Sequence, residues 1–181
     1  MKIRTRALAV AGVLWGALAL AGCEDPKPRH TPPDPFATAP SQGETVTPTA
    51  GLSEGLAKLP GIAGFSLDHV GAAFDPLNKQ PAETPGFLPT RLEGFGFDPV
   101  AKTPGKGVDV VVDGKAYGAA YGRPRQDVAD HFKTPRLATT GFTTTLPAEA
   151  LPAGPHTAVV RVIAADGKGY YESPSIRFEV K

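Results

Sequence analysis

The chain has 181 residues, a formal net charge of +1, 41% apolar residues, 20 prolines, 21 glycines and one cysteine. A single cysteine excludes an internal disulfide. The balanced charge, with no basic patch interleaved with aromatics, excludes the footprint of a nucleic-acid binder.

The N-terminus carries Lys2, Arg4 and Arg6, and then an uncharged run over residues 7–22. Those 16 residues fall short of the roughly 20 that a spanning helix needs. A charged start, a short apolar core and small residues before a processing point form the layout of a secretory signal. The run ends in Leu20-Ala21-Gly22-Cys23, which resembles the lipobox of bacterial lipoproteins. The resemblance implies cleavage before Cys23, a diacylglycerol in thioether linkage on its sulfur, and acylation of the new N-terminus. Two or more acyl chains hold a protein on a membrane, where one is marginal. No other cofactor is expected. Removing the three basic residues of the signal leaves +1 − 3 = −2 for the mature chain.

From Glu24 the composition shifts, with prolines at 26, 28, 32, 33, 35, 40 and 48. Such a stretch buries too little apolar surface to repay its ordering entropy. Residues 23–63 are therefore read as the lipidated cysteine and a tether. Its proline-rich part reaches at most ~80 Å at ~3.1 Å per residue. Within it, Leu52, Leu56 and Leu59 have the spacing of one or two helical turns, weakened by Gly55.

Residues 64–181 are expected to form one domain with a single core. Phe65–Val70 and Arg91–Phe97 read as strands, with Gly94 and Gly96 marking a bulge. Val108–Val112 is rich in β-branched residues. It leads through Asp113-Gly114, a strong hairpin signal, into a returning strand over 115–121. Asp127–Phe132 reads as a short helix, with Asp127 as its N-cap and Val128 and Phe132 both facing the core. Residues 141–146 and 156–165 are further strands, and Asp166-Gly167 signals another hairpin. In the last segment Ile176, Phe178 and Val180 alternate strictly with Arg177, Glu179 and Lys181. Seven short strands with turn signals between them predict an all-β sandwich with one short helix.

Gly94-Phe95-Gly96-Phe97-Asp98-Pro99, Val112-Asp113-Gly114, Tyr121–Val128, Gly141-Phe142, Leu151–His156 and Asp166-Gly167, in this order, resemble a bacterial immunoglobulin-like module. The resemblance covers residues 64–181 and rests on turn chemistry. It implies an immunoglobulin-like sandwich in an envelope protein and supplies no shared catalytic set. The family pattern has a Trp near Phe95, where this chain has Phe.

Sequence candidates for chemistry are few. His156 shares parity with Ala158, Val160 and Val162, and is expected to hydrogen-bond to backbone at a sandwich corner. Asp127, Asp130 and His131 have a metal-ligand spacing that capping and a solvated surface explain better. Asp68 and His69 are strand neighbours pointing to opposite faces. Phe74–Pro81 and Phe97–Pro104 share an F-D-P-x-x-K-x-P pattern, read as one strand-exit turn used twice. The loop Tyr121, Arg123, Arg125 and Gln126 is the best binding candidate: Tyr stacks on sugars or peptides and Arg pairs with carboxylates. Tyr170 and Tyr171, expected in a turn, would add to that surface.

No G-x-S-x-G, H-E-x-x-H, P-loop or dinucleotide fingerprint occurs, and the only thiol is assigned to lipid. The expected protein is a membrane-anchored, non-catalytic envelope module that binds another envelope protein or a surface glycan. The alternatives are a cell-wall or polysaccharide hydrolase using carboxylates, or a purely structural spacer. Mutation of the loop separates a binder from a spacer.

Overall fold

The computed structural model describes residues 49–181. The signal segment, Cys23 and the proline-rich stretch up to residue 48 lie outside the described residues.

Two sheets face each other. The first contains β1 (Thr49–Ala50), β2 (Ala57–Ile62), β5 (Ala82–Thr84), β7 (Gly107–Val112), β8 (Lys115–Gly118), β11 (Gly154–Ile163), β12 (Gly169–Glu172) and β13 (Ile176–Val180). The second runs in the order β4 (Ala73–Phe74), β3 (Gly64–Val70), β6 (Thr90–Phe97), β10 (Gly141–Leu146) and β9 (Ala120–Arg123). Among the described residues one helix, α1 (Gln126–His131), and a 3-10 turn, Pro135–Thr139, join β9 to β10 within the second sheet, and a second 3-10 turn, Ala148–Ala150, lies on the crossing from β10 to β11. This is the all-β sandwich with one short helix that the alternation predicts.

The core lies between the sheets. Val108, Val110 and Val112 on β7, Ala158, Val160 and Val162 on β11, and Ile176, Phe178 and Val180 on β13 meet Leu67, Leu92, Phe142 and Leu146. Period-two alternation puts these residues on one face of each strand. Asp113 and Gly114 have φ of 48° and 86°, the pair of left-handed residues that a two-residue hairpin needs.

Several elements depart from the expected pattern. The expected strand over 115–121 is two strands in different sheets. Ala119 is the crossing point, and its amide donates to the Val108 carbonyl at 2.9 Å. The bulge falls on β3 and not at the glycines of β6: Leu67 pairs with Gly94 and His69 with Glu93, leaving Asp68 extra. Gly94 and Gly96 instead allow close approach. A Cβ on Gly94 would lie 2.0 Å from the Ser66 carbonyl oxygen, and one on Gly96 would lie 2.8 Å from Val162 Cγ2.

The sheet also takes in residues that precede the expected start at Gly64. Residues 52–59 form no helix; Ser53–Gly55 turn and β2 begins at Ala57. The fully buried Asp109 carboxylate accepts the Leu52 amide at 2.9 Å and the Ser53 amide at 2.6 Å. These bonds hold the 49–56 crossing on the outer face of the first sheet. β2 then pairs in parallel with β12, and β5 in parallel with β13.

Candidate functional site

The expected binding loop folds into a fixed platform. Tyr121 is packed against the core, and its hydroxyl donates to the Gly96 carbonyl at 2.6 Å and accepts the Gly105 amide at 3.1 Å. Burial pushes its pKa up to about 12, with the Gly105 bond pulling weakly the other way. The ring is a brace between loops, and its hydroxyl is already committed.

Arg125, not Asp127, stands at the N-cap position of α1; Asp127 is the second residue of the first turn, and the helix has no side-chain cap. The guanidinium reaches Asp68 at 2.6 Å and is gripped by Asp127 at 2.9 and 2.7 Å. It lies over the Phe95 ring, 5.1 Å from its centroid. Asp68 gets there because it is the extra residue of the bulge, and it also accepts the Ser66 hydroxyl at 2.6 Å. Burial lowers the Arg125 pKa, but Asp127 and Asp68 outweigh it and the net shift is upward. The Arg125 hydrogen bond is the main cause that holds Asp127 below the usual carboxylate range. Charge-assisted, forked contacts of this kind fix geometry as well as energy. Gln126 is exposed and donates to Asp130 at 2.9 Å. Arg123 is half-buried on β9.

Tyr170 and Tyr171 are not on a turn. They lie in β12 and both are buried, with the Arg161 guanidinium 4.6 Å from the Tyr170 ring centroid and Tyr171 in the core. The structure does not bring them to the 121–126 platform: they belong to the first sheet and Tyr121 to the second. Beside them Glu172 accepts Lys58 at 2.7 Å and Arg161 at 2.8 Å.

The Asp127-Asp130-His131 spacing does not converge on an ion. Asp127 holds Arg125, Asp130 holds Gln126, and the His131 ring stands edge-on to Phe132. Among the described residues no three such side chains come together. Phe132 is 44% exposed, not core, and packs edge-on against Phe97 beside buried Val128 and Leu137. The two F-D-P turns differ as well. Asp98 is buried and accepts the Val100 and Ala101 amides, whereas Asp75 has φ of 58° and holds the Asn78 side chain.

His156 is a corner residue. Its Nδ1 lies 2.6 Å from an Asp113 carboxylate oxygen and its Nε2 2.7 Å from the Pro152 carbonyl. Both partners are acceptors, so the doubly protonated ring satisfies both. Burial lowers its pKa, but these bonds and the Asp113 charge outweigh it and the net shift is upward. Asp113 shifts down: burial opposes, and the bonds from His156 and Thr157 prevail. A cavity of about 250 Å³ opens beside them, lined also by Pro81, Arg177 and Glu179. A second, of about 320 Å³, lies at the other end of the sandwich between Ile62, Phe97, Pro99, Lys102 and Phe132.

A general acid for glycoside or wall chemistry needs a raised carboxyl pKa. At the first cavity Asp113 is lowered and Glu179 binds Lys181 at 2.7 Å. Both imidazole nitrogens are occupied. This arrangement holds charge in place at the corner of the sandwich.

Compared with family models, curated proteins and solved structures, the chain gives no match.

Proposed function

We propose that this chain is a lipid-anchored envelope protein whose sandwich acts as a non-catalytic binding or scaffolding module for an envelope protein or a surface glycan. The lipobox-like Leu20–Cys23 supports the anchor. The observation that carries the binding reading is the Asp68–Arg125–Asp127 platform, which presents Gln126 and Asp127 to solvent on a backbone held by forked ion pairs. Rigid presentation of polar groups lowers the ordering cost of recognition. Anchoring then raises the effective concentration of the module at the membrane. The immunoglobulin-like resemblance agrees with such a role.

Two measurements test this. Intact-mass analysis of the membrane fraction should show the diacylglycerol and acyl additions on Cys23, and none in Cys23→Ala. Cross-linking in intact cells, read by mass spectrometry, should capture a specific partner that Gln126→Ala/Asp130→Ala loses. Identical capture in both proteins overturns the platform as the binding surface.

A further inference from the structure

We propose that one end of the sandwich docks directly on an anionic lipid surface. This end is built from three stretches tied together. The 98–106 loop is joined to the 164–168 turn by the Ala165 amide on Asp98 Oδ2 (2.9 Å) and the Lys106 amide on the Ile163 carbonyl (3.0 Å). The 320 Å³ groove joins the same loop to Phe132 and Thr134.

Apolar tips project from it. Val100 is 76% exposed, Ile62 59%, Leu52 49% and Phe132 44%. Leu52 belongs here because its Cδ1 packs against Gly107, the first residue of β7. Around these tips stand Lys102, Lys106, Lys133, Arg136 and Lys168, all exposed and none ion-paired with a described residue.

The acids nearby are Asp98, Glu54, Asp130 and Asp166. Asp98 is buried and spends both oxygens on backbone amides. Asp130 holds Gln126, and Asp166 holds the Lys168 amide. These bonds come from neutral amides and leave the acids charged, so the five cations, none ion-paired with a described residue, outnumber the four acids by one at this end of a mature chain of about −2. Interfacial binding rewards this combination, apolar residues entering the headgroup region and lysines meeting anionic lipid. The described chain enters the sandwich near this end: Thr49 pairs with Gly118, which pairs with Asp109, two residues from Gly107. A domain held here would face the bilayer with this end and turn the His156 cavity outward.

The docking is independent of lipidation and is tested without it. Residues 23–181 carrying Cys23→Ser are sedimented with excess vesicles of phosphatidylglycerol and phosphatidylcholine, or of phosphatidylcholine alone. Binding is expected to the anionic vesicles only, and to fall as salt rises. Lys102→Glu/Lys106→Glu should weaken it at least about tenfold, at roughly fivefold per lysine lost. Val100→Asp should weaken it as well. Lys79→Glu/Lys115→Glu, at the other end, should leave it unchanged. No binding, equal binding to neutral vesicles, or equal loss in both lysine pairs overturns the proposal. So does a dimer in sedimentation velocity that Val100→Asp dissociates, which would give this face to a second copy. Failure of the anchor reading would show separately, as an unmodified Cys23.

Discussion

Asp109→Ala asks whether residues 49–56 belong to the folded domain or merely lie against it. The carboxylate is fully buried and accepts two amides, at 2.9 Å from Leu52 and 2.6 Å from Ser53. Ser53 is itself 2% exposed, so its amide has no water to turn to. A buried bond to a charged acceptor contributes about 1.5–3 kcal/mol, and the Leu52 bond, which water reaches, about 0.5–1.5. Removing a buried charge returns some desolvation cost, so the expected loss is about 2–3 kcal/mol. At ~4 °C per kcal/mol for a domain of this size, the melting temperature should fall by about 10 °C. The only tryptophan is Trp15, which the mature chain lacks on the signal reading, so far-UV circular dichroism in urea is the assay. Asp109→Asn keeps one acceptor and should recover about half of the loss. If Asp109→Ala stays within about 0.5 kcal/mol of wild type, as surface changes do, the clamp is not a stabilising feature.

Tyr121→Phe removes two hydroxyl bonds and leaves the buried Gly96 carbonyl unpaired. It should cost about 2 kcal/mol in the same assay while leaving the captured partner unchanged; a lost partner with full stability would make Tyr121 a contact residue. Gly94→Ala sets a Cβ against the Ser66 carbonyl at 2.0 Å and should destabilise by about 2–3 kcal/mol, or else the β3–β6 approach is looser than drawn. The His156–Asp113 pair gives a pH signature. The His156 pKa is raised above 6.5 in the fold, so its stabilisation is complete below pH 6.5 and fades as pH climbs through the raised value. Asp113 is lowered, so its share is present above 3.8 and fades as pH falls through the lowered value. Urea midpoints should therefore decline on the alkaline side, and His156→Gln should flatten that decline; an unchanged slope would assign it to another group.

The strands with strict alternation were legible because one face is core and the other water, as in Ile176–Val180. β12 was not, because both its faces are covered: Tyr171 enters the core while Arg161 lies over Tyr170. Gly-Tyr-Tyr-Glu then shows no period and reads as a turn. β1, β2 and β5 are short or lie at edges, and their partners are 67 to 112 residues away in sequence, as with Ala50 and Tyr117 or Ala57 and Gly169. At the site, Tyr121 and Arg125 were singled out by residue type. What they do is set by Gly96 and Asp68, 25 and 57 residues distant, and no local pattern carries that information. The His156 corner was readable because its strand parity put a polar ring at the boundary of an apolar face.

The last strand has a consequence for how the molecule comes into being. β13 lies between β11 and β5 inside the first sheet and contributes Ile176, Phe178 and Val180 to the core. Until Val180 has been synthesised, β11 lacks its β13 neighbour along residues 154–158 and the inner face of the sandwich stays open. Non-local pairing of this kind folds slowly. The first sheet thus stays unclosed until β13 is made, and on the secretory-signal reading that open form is the one a chain in transit would need.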